Sequence, residues 1–148
     1  MKPENLFQET RRLSQALKQW GEALHRGVGL TAATRGVLDA LFVGGAATVP
    51  GIARERGASR QHVQQLVDAL LERELVERRS NPSHRRSSLI ALTDKGRALV
   101  ENMRAEERNA IQSIQAGVSD HAIEEAALVL ARWRTALWRD TERRAARL

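Results

Sequence analysis

Arg78-Arg79-Ser80-Asn81-Pro82-Ser83-His84-Arg85-Arg86 carries four arginines, one histidine and no acid around an Asn-Pro turn. Apolar residues flank it on both sides, Leu75-Val76 before and a run from Ser87 to Leu92 after. Alternation in the return run sets Leu89 and Ala91 on one face and Ser88 and Ile90 on the other, with Ile90 out of pattern. The segment therefore reads as a charged β-hairpin, and a hairpin with this charge is suited to a polyanion.

Immediately upstream, Gly57-Ala58-Ser59 makes a tight break, and Ser59 is placed to cap the helix that follows. Val63, Leu66, Val67 and Leu70 fall within a sector of about 100° at 3.6 residues per turn. Gln61, Gln64, Gln65 and Asp68 point the other way. Before the break, Pro50 suits the first turn of a short helix that carries Ile52 and Ala53 inward and stops at Gly57. Residues Ala47-Thr48-Val49 read as a short extended piece. Two helices joined by a Gly-containing turn, the second apolar inside and polar outside, form a helix-turn-helix. A basic hairpin after it adds the wing.

The flanks are helical. Leu6, Leu13, Leu17, Trp20 and Leu24 form a narrow apolar seam that ends near Gly27 and Gly29, a width suited to pairing with another helix. Thr31 is placed to cap a helix with Val37, Leu38, Leu41 and Phe42 inward, which Gly44-Gly45 stops. After the wing, Thr93 can cap a long helix containing Leu99, Met103, Ala110, Ile111 and Ile114. Its polar stretch from Arg104 to Arg108 is expected in solvent. Gly117-Val118-Ser119 breaks the chain before a last helix with Ile123, Ala127, Leu130, Trp133, Leu137 and Trp138. The fold class expected is mainly α: a winged helix-turn-helix with a small β-hairpin wing and N- and C-terminal dimerisation helices. Residues 1-148 form one domain in this reading, with a DNA-binding lobe at 48-97 and dimerisation helices at 1-30 and 98-148.

Composition limits the alternatives. The chain has 148 residues and no cysteine, which excludes disulfides, thiolate catalysis and cysteine-ligated zinc. Net charge is +6, and residues 48 to 97 hold ten Arg or Lys against six Asp or Glu, so the positive field is concentrated in the middle. No apolar run approaches the roughly 18 residues of a membrane span, and the first residues lack a basic segment leading into an apolar one. A cytoplasmic location is the expectation, with no membrane partner. Phosphate-cradling, Gly-x-Ser-x-Gly and His-Glu-x-x-His motifs are missing, and His25, His62, His84 and His121 are scattered in sequence. Neither a catalytic residue, a metal site nor a cofactor is expected, and enzymatic activity is improbable.

A major groove is read by amides and guanidinium groups near a helix N-terminus. Arg60, Gln61, Gln64 and Gln65 supply them, and Ser59 offers a backbone N–H to a phosphate. An arginine at the wing can enter a minor groove. Double-stranded DNA is the partner that fits both. A solvated Gln-rich face, a winged helix used for protein association, and sequence-independent DNA packaging are the competing readings.

Ala47-Thr48-Val49-Pro50-Gly51-Ile52-Ala53, Ser59-Arg60-Gln61-His62-Val63, Leu75-Val76, Asn81-Pro82-Ser83-His84-Arg85-Arg86 and Leu92-Thr93-Asp94-Lys95-Gly96 together resemble the MarR (multiple antibiotic resistance regulator) family. The resemblance implies a homodimeric winged-helix transcriptional regulator, repressor or activator. It places Ser59, Arg60, Gln61, His62, Gln64 and Gln65 at the major groove, and Arg85 or Arg86 in the minor groove. Wings of this family commonly carry an acid just before the paired arginines, where this chain has His84. A phosphate contact by His84 and a plain exposed tip both stay open. The resemblance further implies release from DNA by small aromatic or anionic effectors bound between the dimer helices and the winged lobe. Trp20, His25 and Arg26 are the residues placed to line such a cleft, although a tryptophan on a helical seam is commonly core.

Overall fold

The computed structural model of the protein describes residues 2–114 and 116–147. Five hydroxyl side chains set where its helices begin. Thr31 accepts from the Thr34 N–H at 3.2 Å and opens α2 (Ala32–Gly44). Thr48 accepts from Gly51 N–H at 3.1 Å and opens α3 (Val49–Arg56). Ser59 accepts from His62 N–H at 3.1 Å and opens α4 (Arg60–Glu72). Thr93 does the same from Gly96 N–H at 3.0 Å for α5 (Asp94–Ser113), and Ser119 from Ala122 N–H at 3.3 Å for α6 (Asp120–Ala145). Each cap satisfies an otherwise free donor of the first turn and contributes about 1 kcal/mol. The remaining helix, α1 (Pro3–Leu24), begins with proline, whose missing N–H is no loss there.

The chain divides into two compact units, Met1–Ala110 and Ile111–Leu148, with the boundary inside α5. The first unit holds the winged lobe. Val37, Leu38 and Leu41 of α2, Ile52 and Ala53 of α3, and Val63, Val67 and Leu70 of α4 are buried together with Leu75, Val76, Ile90, Leu92, Val100 and Met103. The apolar stripes expected on α2, α3 and α4 thus close on one another, with Leu66 and Phe42 at the margin. Gly57, at φ 62° in the left-handed region, lets α3 end and the chain turn directly into α4.

Strands β1 (Val76–Arg79) and β2 (Leu89–Leu92) pair antiparallel, Val76 opposite Leu92 and Arg79 opposite Leu89. Of the expected extended piece at residues 47 to 49, Ala47 and Thr48 are extended and only Ala47 pairs, exchanging backbone hydrogen bonds with Ile90 at 3.0 and 2.7 Å. Thr48 is already a helix cap and Val49 already helical, because Pro50 fixes a helix-compatible φ and the Thr48 hydroxyl closes the first turn. The expected alternation of the return strand also fails. Ile90, Ala91 and Leu92 are buried in succession, since β2 runs between β1 and Ala47 and packs against α2.

The segment Leu92-Thr93-Asp94-Lys95-Gly96 stitches the wing's return to the end of α4. Thr93 donates to the Glu74 carbonyl at 2.7 Å, its N–H donates to the Leu75 carbonyl, and Lys95 Nζ donates to the Arg73 carbonyl at 2.9 Å. Gly96 lies against the Leu75 backbone so closely that a Cβ there would run into the carbonyl oxygen. From the other side, Arg73 donates to the Gly29 and Val28 carbonyls at 2.8 and 3.1 Å, tying the end of α4 to the approach to α2. On α5, Arg97 and Arg104 cover the Phe42 ring at 5.5 and 5.3 Å, and Arg104 reaches Asp39 of α2 at 2.6 Å. The wing is thereby anchored at its base on α4, α2 and α5.

The second unit is dominated by α6. None of its residues is buried, and Ile123, Leu128, Leu130, Leu137 and Trp138 are exposed along it. Near its end Asp140 takes a hydrogen bond from Arg144 at 2.6 Å, which holds the Asp140 carboxyl below its usual range. Helix α1 likewise buries none of its residues; Leu13 and Leu17 of the expected seam are about half exposed.

Candidate nucleic-acid interface

Helix α4 and the wing meet at one face. Arg60, Gln61 and Gln64 of α4 line a cleft of about 410 Å³ with Arg78 and Arg86 of the hairpin, Ser87, Ser88 and the start of α3 at Val49 and Pro50. Three guanidinium groups thus surround an opening at the N-terminal ends of α3 and α4, where free backbone N–H groups add partial positive charge. Ser59, Arg60, Gln61, His62 and Gln65 are exposed, and Gln64 is half-buried.

The four wing arginines are not equivalent. Arg79 is clasped by Glu77 at 2.6 Å on its own strand, and Arg78 lies 3.6 Å from Asp68 of α4. Arg85 and Arg86 are exposed, and among the described residues no ion pair falls on either. The tip is ordered by its backbone. Ser83 N–H donates to Asn81 Oδ1 at 3.1 Å, His84 N–H to the Asn81 carbonyl at 3.2 Å, and Ser87 N–H to the His84 carbonyl at 3.2 Å. Two consecutive turns therefore present His84, Arg85 and Arg86 without an acid bracing the pair.

Two contacts of Asp68 escaped the reading of the sequence. Asp68 accepts from Gln64 Nε2 at 2.8 Å as well as facing Arg78, so one carboxylate joins the Gln-rich helix to the base of the wing. The signal for the first contact was present, since residues four apart on a helix are neighbours. Its link to Arg78 depends on how the hairpin folds back.

Of the three residues considered for an effector cleft, Trp20 is half-buried, Arg26 is exposed in a short 3-10 turn, and His25 is sealed from solvent. His25 Nε2 lies 2.9 Å from Glu107 Oε1, and Nδ1 lies 3.4 Å from Glu106 Oε2 without hydrogen-bond alignment. It braces the end of α1 on α5. Among the described residues no His, Asp and Glu cluster could hold a metal ion, and no helix is long and apolar enough to cross a membrane.

A helix-turn-helix whose second helix carries amides and guanidiniums, followed by a cationic hairpin, defines a winged-helix DNA-binding protein. Comparison narrows the class. A model of the MarR family matches residues 28–87. An uncharacterized protein of Mycobacterium tuberculosis is 45% identical over 56 residues, 38% of this chain and 39% of that protein. The chain's match thus spans about two-fifths of the length of the curated relatives. Among solved structures, a MarR family transcription regulator is 27% identical with a TM-score of 0.75, and the match covers 92% of each chain. Bordetella bronchiseptica BpsR, whose DNA binding is regulated by 6-hydroxynicotinic acid, is 27% identical with a TM-score of 0.70 over 86% of this chain and 91% of its own. Residues 28–87 match the MarR family model, and the fold is similar to that of MarR family transcription regulators. The resemblance drawn from the wing and α4 holds on both grounds.

Proposed function

We propose that this protein is a sequence-specific transcriptional regulator that binds a pseudo-palindromic operator as a homodimer, acting as a ligand-responsive repressor in the cytoplasm. The observation that carries it is the cleft between α4 and the wing, where Arg60, Arg78 and Arg86 surround Gln61 and Gln64. Arg60 and Arg78 at its rim hold phosphates, and the Gln61 and Gln64 amides read base edges. Ser59, through its backbone, and His62 and Gln65 extend the contact along α4, while Arg85 and Arg86 follow the minor groove with His84 at the phosphates. Catalysis has no part in this reading.

Dimerisation is supported by α1 and α6, which leave Leu13, Leu17, Ile123, Leu130 and Leu137 exposed. Each of these helices carries an apolar stripe that calls for a partner, and a second copy supplies a two-fold axis that matches two half-sites about one helical turn apart. The effector is taken to be a small aromatic or anionic molecule. The regulated BpsR supports the idea of an aromatic acid, and Trp20 and Arg26 offer a ring and a charge to it.

Selection of bound fragments from random duplex DNA at fixed salt, with sedimentation of the complex, tests the reading. A repeated half-site bound by two copies is expected. Equal affinity for all sequences, with only a salt dependence, would mark packaging instead.

A further inference from the structure

We infer that Asp68 is a specificity-determining residue, because its carboxylate fixes which end of the Gln64 amide faces the DNA. The inference rests on the proposed role of α4 as the base-reading helix. Asp68 is an exposed acid on the outward side of α4 that also carries Gln61, Gln64 and Gln65, and it faces Arg78 of the cationic cleft. An acid opposite phosphates weakens binding unless it does something in return. Here its Oδ1 takes a hydrogen bond from Gln64 Nε2 at 2.8 Å, and Arg78 lies 3.6 Å from the same oxygen.

An ionised carboxylate only accepts, so the amide must turn its nitrogen toward Asp68 and its Oε1 away. Among the described residues no hydrogen bond falls on Gln64 Oε1. A freely rotating glutamine offers either a donor or an acceptor to a base. Held by Asp68, Gln64 turns its Oε1 acceptor outward and has one of its two N–H donors engaged by the carboxylate. In the major groove that acceptor matches the amino hydrogens of adenine N6 and cytosine N4, and conflicts with the oxygens of thymine O4 and guanine O6. Arg78, at the base of the wing, offsets the charge of Asp68, so the polarity of Gln64 is set without an unpaired acid facing the duplex.

The test uses the full chain and a recovered operator, with every single-base variant of one half-site measured at fixed salt. Gln64→Ala identifies the position that Gln64 reads, where the unaltered protein is expected to favour adenine or cytosine by about tenfold. Asp68→Asn, whose amide can accept or donate, should cut that preference to about twofold and leave other positions as they were. Asp68→Glu, which keeps an acceptor, should retain it. The double variant Gln64→Ala with Asp68→Asn should lose no more than Gln64→Ala alone.

Tighter binding to every sequence with the preference intact would show that Asp68 acts through charge only, and would overturn the inference. So would a preference for thymine or guanine at the Gln64 position. If the unaltered protein prefers no operator at all, the reading of α4 itself fails and Asp68 falls with it. Both side chains are at least partly exposed, and unchanged circular dichroism separates these outcomes from misfolding.

Discussion

Helices α4 and α6 are both amphipathic, yet α4 seals Val63, Val67 and Leu70 in a core while α6, twice as long, buries nothing. The apolar stripe of α4 finds its complement within the winged lobe, against residues of α2, α3 and the wing's base. The stripe of α6 does not find one in its own unit. Since most helix stability in proteins comes from packing an apolar face rather than from propensity, one helix belongs to a self-sufficient lobe and the other is the face on which the proposed dimer rests. DNA reading needs the first property, because α4 must hold its side chains in register. Reading two half-sites needs the second.

The strongest way to break this contrast is to attack the core beneath α4. Leu70→Ala removes a fully buried side chain and should cost about 2–5 kcal/mol of unfolding free energy. Gly96→Ala should be comparably harmful, because the new Cβ meets the Leu75 carbonyl where α5 leaves the wing. Urea unfolding followed by circular dichroism measures both. A loss below about 0.5 kcal/mol for Leu70→Ala would mean that the lobe is not held by this core. On α6 the same kind of truncation should spare the lobe and weaken the assembly. Leu137→Ala is expected to raise the dimer dissociation constant by about thirtyfold, near 2 kcal/mol, with little change in the lobe's own unfolding. Analytical ultracentrifugation over a concentration series decides it, and an unchanged constant would take Leu137 out of the interface.

How much of this was legible in the sequence depended on how local each signal is. Thr31, Ser59 and Thr93 act within one helical turn, and all three caps were readable from residue type and spacing, whereas Ser119 was legible only as part of a break. Gly57 and the Asn81-Pro82 turn were equally local. Val49 was misread as extended because valine suits a strand, and the Thr48 cap with the geometry around Pro50 starts the helix there instead. Burial of Ile90, Ala91 and Leu92 in a row depends on Ala47, far away in the chain, so alternation was the wrong template. His25 meets Glu106 and Glu107 from more than eighty residues away, a distance over which no periodicity speaks. On the candidate interface the sequence supplied the residue types on α4 and the wing. It did not distinguish the two wing arginines engaged by Glu77 and Asp68 from the two that are free.

That last distinction gives the smallest effect and the sharpest comparison. Arg85 and Arg86 carry no partner within the described residues, whereas Arg79 is already satisfied by Glu77. Free guanidiniums at a tip are available to phosphates and displace counterions when they bind; a paired one contributes less, because its partner must first be left behind. Arg85→Ala with Arg86→Ala should therefore weaken binding to every duplex by about fivefold, roughly 1 kcal/mol, at moderate salt. It should also lower the slope of log affinity against log salt by about two. Arg79→Ala should change both quantities less. Fluorescence anisotropy on operator and random duplex across a salt series measures the three variants side by side. If Arg79→Ala lowered the slope as much as the tip pair does, the ion pair with Glu77 would not be holding that arginine in reserve, and the division of the wing into engaged and available arginines would be wrong.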